Sequence, residues 1–279
     1  MQRPQPLLLT VLAMLAFAGN SLLCRLALAT TKTDPASFTV VRLAAGALTL
    51  WLIMLARKTP ATGNWISAGA LFVYAAAFSW AYVKLPAATG ALILFGAVQL
   101  SMLGYGISTG DRLSPWQATG VALALGGLVM LLRPGLAAPS LTGAALMAMA
   151  GIAWGVYSLR GNDAGDPACE TAGNFMRAVP LALLLGGLLF PYLSLDAAGT
   201  GYAVASGTIA SATGYVIWYA AVKRINATVA ASVQLSVPAI TALGGIAFLG
   251  EQMSWTLAMS CTAILGGIAL AALAGKTDA

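Results

Sequence analysis

Two arginines sit where charge is costly. Arg42 and Arg177 are each the seventh residue of a long apolar run, roughly 10 Å deep if that run is a helix rising 1.5 Å per residue. A guanidinium at that depth snorkels to the interface, anchors a helix, or serves the path of a solute. Acids able to answer the two arginines lie at the ends of the same runs. The spacing lets Arg42 pair with Asp34, and Arg177 with Asp166 or Glu170, as gates at opposite mouths. No Asp or Glu falls near the middle of any run, whereas proton-coupled carriers commonly place a carboxylate or histidine along the path. That favours a facilitator that lets a solute run down its own gradient.

The uncharged groups suggest what the solute is. Tyr74, Phe78 and Tyr82 recur every four residues, one face of a helix. Tyr215, Trp218 and Tyr219 share a face of another, and Trp154 and Tyr157 stand three apart on a third. Asn20, Gln99 and Gln234 lie within apolar runs, where an amide must face a neighbour, substrate or water. Rings alone could be ordinary packing or an interfacial belt. Aromatic walls with a few amides and no central charge suit a neutral or zwitterionic solute with an apolar side chain. A sugar phosphate would call for a cluster of cations.

Composition says where these side chains must work. Of 279 residues, 59% are hydrophobic and 8% charged, against roughly 25% charged in globular domains. A water-soluble chain cannot cover its surface with so few charges, and a disordered one would be polar. Ten apolar segments follow one another: Leu7–Ala29, Ala36–Ala56, Trp65–Val83, Pro86–Ile107, Pro115–Leu132, Thr142–Leu159, Thr171–Tyr192, Gly199–Ala221, Thr228–Leu249 and Trp255–Ala274. Each is about long enough to cross a bilayer as a helix. Turn and charge residues such as Asp34-Pro35, Arg57-Lys58-Thr59-Pro60, Gly110-Asp111-Arg112, Arg133-Pro134-Gly135 and Lys223-Arg224 separate them. The expected fold is therefore an all-α integral membrane bundle of ten transmembrane helices, with no soluble domain. Histidine is absent, which excludes HExxH metalloprotease, Ser-His hydrolase and imidazole-relay chemistry. Cys24, Cys169 and Cys261 match no metal or redox spacing. No enzyme, cofactor or nucleic-acid partner is implied; the expected partners are a small molecule and lipid.

The chain also repeats itself. A shift of 135 lays Arg25 on Arg160 and Arg42 on Arg177, and the Asp-Pro pair recurs at Asp166-Pro167. Further on, Lys84 meets Lys223 at 139, and Gly126-Gly127 meets Gly266-Gly267 at 140. Residues 1–137 and 138–279 thus read as two five-helix copies. An odd helix number inverts the second copy. Arg3, Arg57, Lys58, Arg112, Arg160, Lys223, Arg224 and Lys276 fall on the face of the termini, and fewer cations, Arg25, Lys32, Lys84 and Arg133, on the other. Both termini are therefore expected in the cytoplasm. Inverted repeats of this kind typify carriers that rock about a midplane site.

Ala16-Phe17-Ala18-Gly19-Asn20-Ser21, Asp34-Pro35, Phe38 and Arg42 resemble the opening of an EamA unit, and Gly250-Glu251, Ser254 and Gly266-Gly267 its close. The chain resembles the drug/metabolite transporter superfamily over nearly its whole length, and within it the YddG-type exporters of aromatic and other neutral amino acids. That resemblance implies export, and the expected setting is alternating access around a central cavity in the bacterial inner membrane; the sequence leaves a monomer or a dimer open. The alternatives are a nucleotide-sugar, sugar-phosphate or drug carrier of the same superfamily, or a channel or scaffold.

Overall fold

The computed structural model describes residues 5–108, 114–132, 139–161, 165–222, 233–234 and 236–274. Those residues form helices and no strand. The apolar runs become α1 (Gln5–Thr30), α2 (Pro35–Arg57), α3 (Trp65–Lys84), α4 (Ala87–Ser108), α5 (Pro115–Leu132), α6 (Leu141–Gly161) and α7 (Pro167–Leu188). After them come α8 (Ala197–Ala205), a π-helix (Ser206–Thr213), α9 (Gly214–Val222), α10 (Ser236–Leu249) and α11 (Trp255–Ala274). Lys223, Thr228, Asp111 and the separators around Gly110 and Arg133 lie outside the described residues.

Local chemistry sets the boundaries. Asp34 accepts hydrogen bonds from the Ala36 and Ser37 N–H groups, and Asp166 from those of Ala168 and Cys169. A proline follows each, Pro35 and Pro167, at a position where a missing N–H costs nothing. The cap moves the start of α7 four residues ahead of the expected Thr171. Its end comes early too, because Pro191 interrupts the ladder and Phe190–Tyr192 tightens into a 3-10 turn. The expected span Gly199–Ala221 forms, but with the π-helix in its middle.

Six helices, α1 to α4, α6 and α7, are long and apolar enough to cross a membrane, and α5, α10 and α11 are shorter apolar helices. The outward side chains agree. Leu52, Val129, Leu184 and Phe248 are exposed, as lipid-facing groups must be. Trp65, Trp116, Trp255 and Tyr192 stand exposed at helix ends, where amphipathic rings settle at the headgroup level. The protein is a multi-pass integral membrane protein.

Packing follows an exchange. Helices α3 and α4 lie against α6, while α8, α9 and α10 lie against α1; α2 faces α7, and α5 faces α11. Lipid tails give no hydrophobic drive between helices, so close approach through small residues has to hold the bundle. A Cβ on Gly151 would meet the Leu94 carbonyl oxygen at 2.5 Å, and one on Gly267 the Gly120 carbonyl oxygen at 2.5 Å. Gly266, beside it, has nothing within 4 Å. The G267A variant is therefore expected to lose about 1–3 kcal/mol by overpacking, read as a lower thermal midpoint in detergent. G266A should leave that midpoint unchanged; equal effects at the two positions would contradict this packing.

Candidate functional site

Side chains from α1, α2, α3, α6, α9 and the π-helix converge on one buried core. Asn20 of α1 donates through Nδ2 to the Tyr74 hydroxyl at 3.0 Å, and its Oδ1 accepts from the Ser206 hydroxyl at 2.7 Å. Arg42 of α2 donates from Nε to the Ser211 hydroxyl at 3.1 Å. Its Nη2 donates to the Tyr215 hydroxyl at 3.0 Å and reaches that of Tyr74 at 3.5 Å. The guanidinium carbon lies 5.3 and 5.2 Å from the ring centres of Tyr74 and Phe78. Ser206 and Ser211 open and nearly close the π-helix. Its wider turn lets one short segment serve both Asn20 and Arg42, a placement such turns often have at functional sites.

The rings around this polar strip form a continuous stack. Trp154 packs on Tyr74 at 5.0 Å, Tyr215 at 4.7 Å, Tyr157 at 5.5 Å and Phe17 at 5.6 Å. Phe17 in turn meets Trp218, Tyr157 meets Tyr219, and Phe78 meets Tyr82. Tyr74, Phe78, Tyr82, Trp154, Tyr157, Tyr215, Trp218 and Tyr219, proposed from spacing, are thus all brought together, and each is buried. In this structure they fill the space between them. Gln99, half-buried on α4, and Gln234, buried ahead of α10, lie on other elements. Sequence reading missed Phe17, Ser206, Ser211 and Phe175, whose ring lies 5.9 Å from that of Tyr215, as site residues; Phe17 entered it only within the stretch that resembles the opening of an EamA unit. Clefts also open away from these rings, two of them as follows. One of about 420 Å³ is lined by apolar groups including Leu92, Leu128 and Ile264, and one of about 480 Å³ by Asn64, Tyr105, Arg160 and Glu170 among others.

The charged residues are arranged differently from expectation. Arg42 does not pair with Asp34. It is 1% exposed inside the core, while Asp34 caps α2 eight residues earlier and accepts from the Ser194 N–H at 2.7 Å. Two turns of helix, roughly 12 Å at 1.5 Å per residue, keep them apart. Arg177 does not pair with Asp166 or Glu170 either. It donates to the Gly173 carbonyl at 2.9 Å and to that of Thr62, as an anchor for the loop after α2. Asp166 is taken by Arg57, with bonds of 3.2 and 2.7 Å, and Glu170 by the Thr62 hydroxyl at 3.0 Å.

The two ends of the bundle nevertheless show tied mouths. At one, Asp34 and Ser194 exchange backbone and side-chain bonds, and Asp196 accepts from the Lys32 N–H at 3.0 Å. At the other stand Arg57–Asp166, Thr62–Glu170 and the Asn64 N–H on Asn174 Oδ1 at 3.0 Å. A further tie was not foreseen. Gly250 turns the chain at φ 64°, so that the Glu251 carboxylate accepts from the Ala87 N–H at 2.7 and 2.9 Å. Arg25 sits 3.6 Å from Glu251 and donates to the Tyr82 carbonyl at 2.7 Å. The Gly-Glu motif thus caps α4 from across the bundle.

The comparisons fit this architecture. Residues 141–273 match the EamA-like transporter family. The chain therefore carries an EamA-like transporter domain. It is a membrane transporter rather than an enzyme. An uncharacterized protein of Pseudomonas aeruginosa is 54% identical over 95% of this chain and 93% of its own. A probable terminal-alkyne amino-acid exporter of Streptantibioticus cattleyicolor is 28% identical over 64% of this chain and 61% of its own. The threonine/homoserine exporter RhtA of Salmonella typhimurium is 32% identical over 52% of this chain and 50% of its own. A solved crystal structure shares the fold, with a TM-score of 0.69 at 23% identity over 95% of this chain and 98% of that one.

The Arg57 guanidinium and two backbone N–H groups hold the Asp166 carboxyl well below the usual carboxylate range. A lowered carboxyl stabilises fully above its ordinary pKa, and that contribution fades only as pH falls through the lower folded value. D166N keeps the cap and removes the charge pair. Its thermal midpoint should fall by the equivalent of about 1 kcal/mol or less, because the pair is partly exposed. The gap from wild type should hold from pH 8 to 5 and close only below about pH 4, the ordinary carboxylate value. A gap that closes already near pH 6 would mean that Asp166 is not held by this pair.

Proposed function

We propose that this protein exports small neutral solutes, chiefly aromatic and other neutral amino acids, by alternating access around a central site. The observation that carries the reading is the buried core of rings and hydroxyls built jointly by α1, α2, α3, α6, α9 and the π-helix, beneath loops that tie the ends of α2 and α7. Its residues Asn20, Tyr74, Phe78, Tyr82, Trp154, Tyr157, Tyr215, Trp218 and Tyr219 would line the opened chamber, with Gln99 and Gln234 at its border. Two relatives named as amino-acid exporters support the solute class.

Ten spans in two inverted halves, 1–137 and 138–279, fit the packing. If α1 corresponds to α6 and α3 to the rod from α8 to α9, then α3 on α6 and α8–α9 on α1 are the same contact seen twice. The self-matched pairs α2–α7 and α5–α11 would lie on the axis relating the halves. The excess of cations on the face of the termini supports cytoplasmic ends in the inner membrane. The gates in this reading are the α2–α7 ties, with Arg57 and Asp166 at one mouth and Asp34 with Ser194 at the other; the monomer suffices for it. The lack of a carboxylate in the core, among the described residues, favours facilitated over proton-coupled movement.

Counterflow in proteoliposomes tests the proposal. Vesicles preloaded with phenylalanine should accumulate labelled phenylalanine or threonine saturably, and an imposed pH gradient should not change the rate. Counterflow of glucose 6-phosphate with none of amino acids would overturn the solute class, and strict dependence on the pH gradient would overturn facilitation.

A further inference from the structure

The Arg42 side chain is almost fully satisfied, and the exception is informative. Nε and Nη2 have hydroxyl partners, but Nη1 is buried with none. One ring away, the Trp154 indole nitrogen is buried and equally without a partner. Both groups can only donate. The acceptors around the guanidinium are already engaged, the hydroxyls of Ser211, Tyr215 and Tyr74 by Arg42 itself and Asn20 Oδ1 by Ser206, while the Tyr157 hydroxyl on the far side of Trp154 is buried without a partner as well. Among the described residues no carboxylate lies within ion-pair distance of Arg42. A charge buried this way is costly unless something supplies the missing acceptor.

We propose that the carboxylate of the transported solute is that acceptor, seated on Arg42 Nη1 beside the Trp154 N–H, with the apolar side chain among the neighbouring rings. This deepens the transport reading and rests on it. It also narrows the solute. The site offers an anion seat but no carboxylate for an ammonium group, so the defining feature is a monocarboxylate with an apolar side chain, and the amino group is dispensable. One guanidinium suits one negative charge; a phosphate dianion would require more cations. The repeat partner Arg177 forms no such seat: it lies outside the ring core, with its Nη1 on the backbone carbonyls of Thr62 and Gly173.

The test joins binding and transport in the purified protein. Quenching of tryptophan emission is titrated with phenylalanine, 3-phenylpropionate, phenylalaninamide and phenyl phosphate, and the same compounds compete in phenylalanine counterflow. Phenylalanine and 3-phenylpropionate should bind alike, and the amide about tenfold or more weaker, the scale of a charge-assisted hydrogen bond. R42Q should erase the distinction between acid and amide, R42K should keep part of it, and W154F should weaken the acids alone. The wild-type comparison stands even if R42Q fails to fold. If phenylalanine is carried but the amide competes equally, the carboxylate seat is wrong while amino-acid transport stands. If nothing is carried yet the acids bind and R42Q abolishes it, the seat stands and the transport reading falls. Tighter binding of phenyl phosphate than of phenylpropionate, or no binding of either acid, overturns the seat.

Discussion

A guanidinium buried in a lipid-immersed bundle with no carboxylate beside it dictates much of the interior. Arg42 cannot shed its proton, and moving it from water to this depth is opposed by several kcal/mol per ion. The fold answers with hydroxyls and ring faces. Ser211, Tyr215 and Tyr74 accept its hydrogen bonds, and the Tyr74 and Phe78 rings turn their negative faces toward it. Those partners come from both halves of the chain. The halves therefore meet at a polar junction whose members have few alternative partners, and the aromatic stack closes around it.

The second organising device is the capped helix start used as a clasp. Asp34 and Asp166 each satisfy two orphan N–H groups at a helix N-terminus, where the dipole favours negative charge. Each then spends its remaining oxygen capacity on the opposite half, on the Ser194 N–H or on Arg57. Glu251 does the same for α4. Carboxylates are scarce in this chain, and these three serve two ends at once: they terminate a helix and hold a mouth.

Much of this was legible from residue order. Apolar runs and their Gly, Pro and charged separators located the helices to within a few residues, because a helix in lipid must be about as long as the bilayer is thick. The four-residue spacing on α3 identified Tyr74, Phe78 and Tyr82 as one face, and the structure keeps them on one. Charge pairing was not legible. Arg42 and Asp34 are near in sequence, yet the acid is held by its own cap and the arginine turns inward to groups far along the chain. The role of Glu251 depends on a contact across the bundle that no local spacing encodes. Ser206 and Ser211 escaped notice because the π-helix is written in small residues that read as ordinary span.

That π-helix carries a consequence of its own. A π-turn holds one residue more than the α-helix it interrupts. Tightening it to α geometry would rotate everything downstream by roughly 100°, the angle of one residue at 3.6 per turn. The rod from Gly214 to Val222 presents Tyr215, Trp218 and Tyr219 to the stack, so a change of one residue's winding at Ser206–Thr213 would swing all three rings together. The winding of this segment thus sets the rotational register at which an entire aromatic wall is held against its partners.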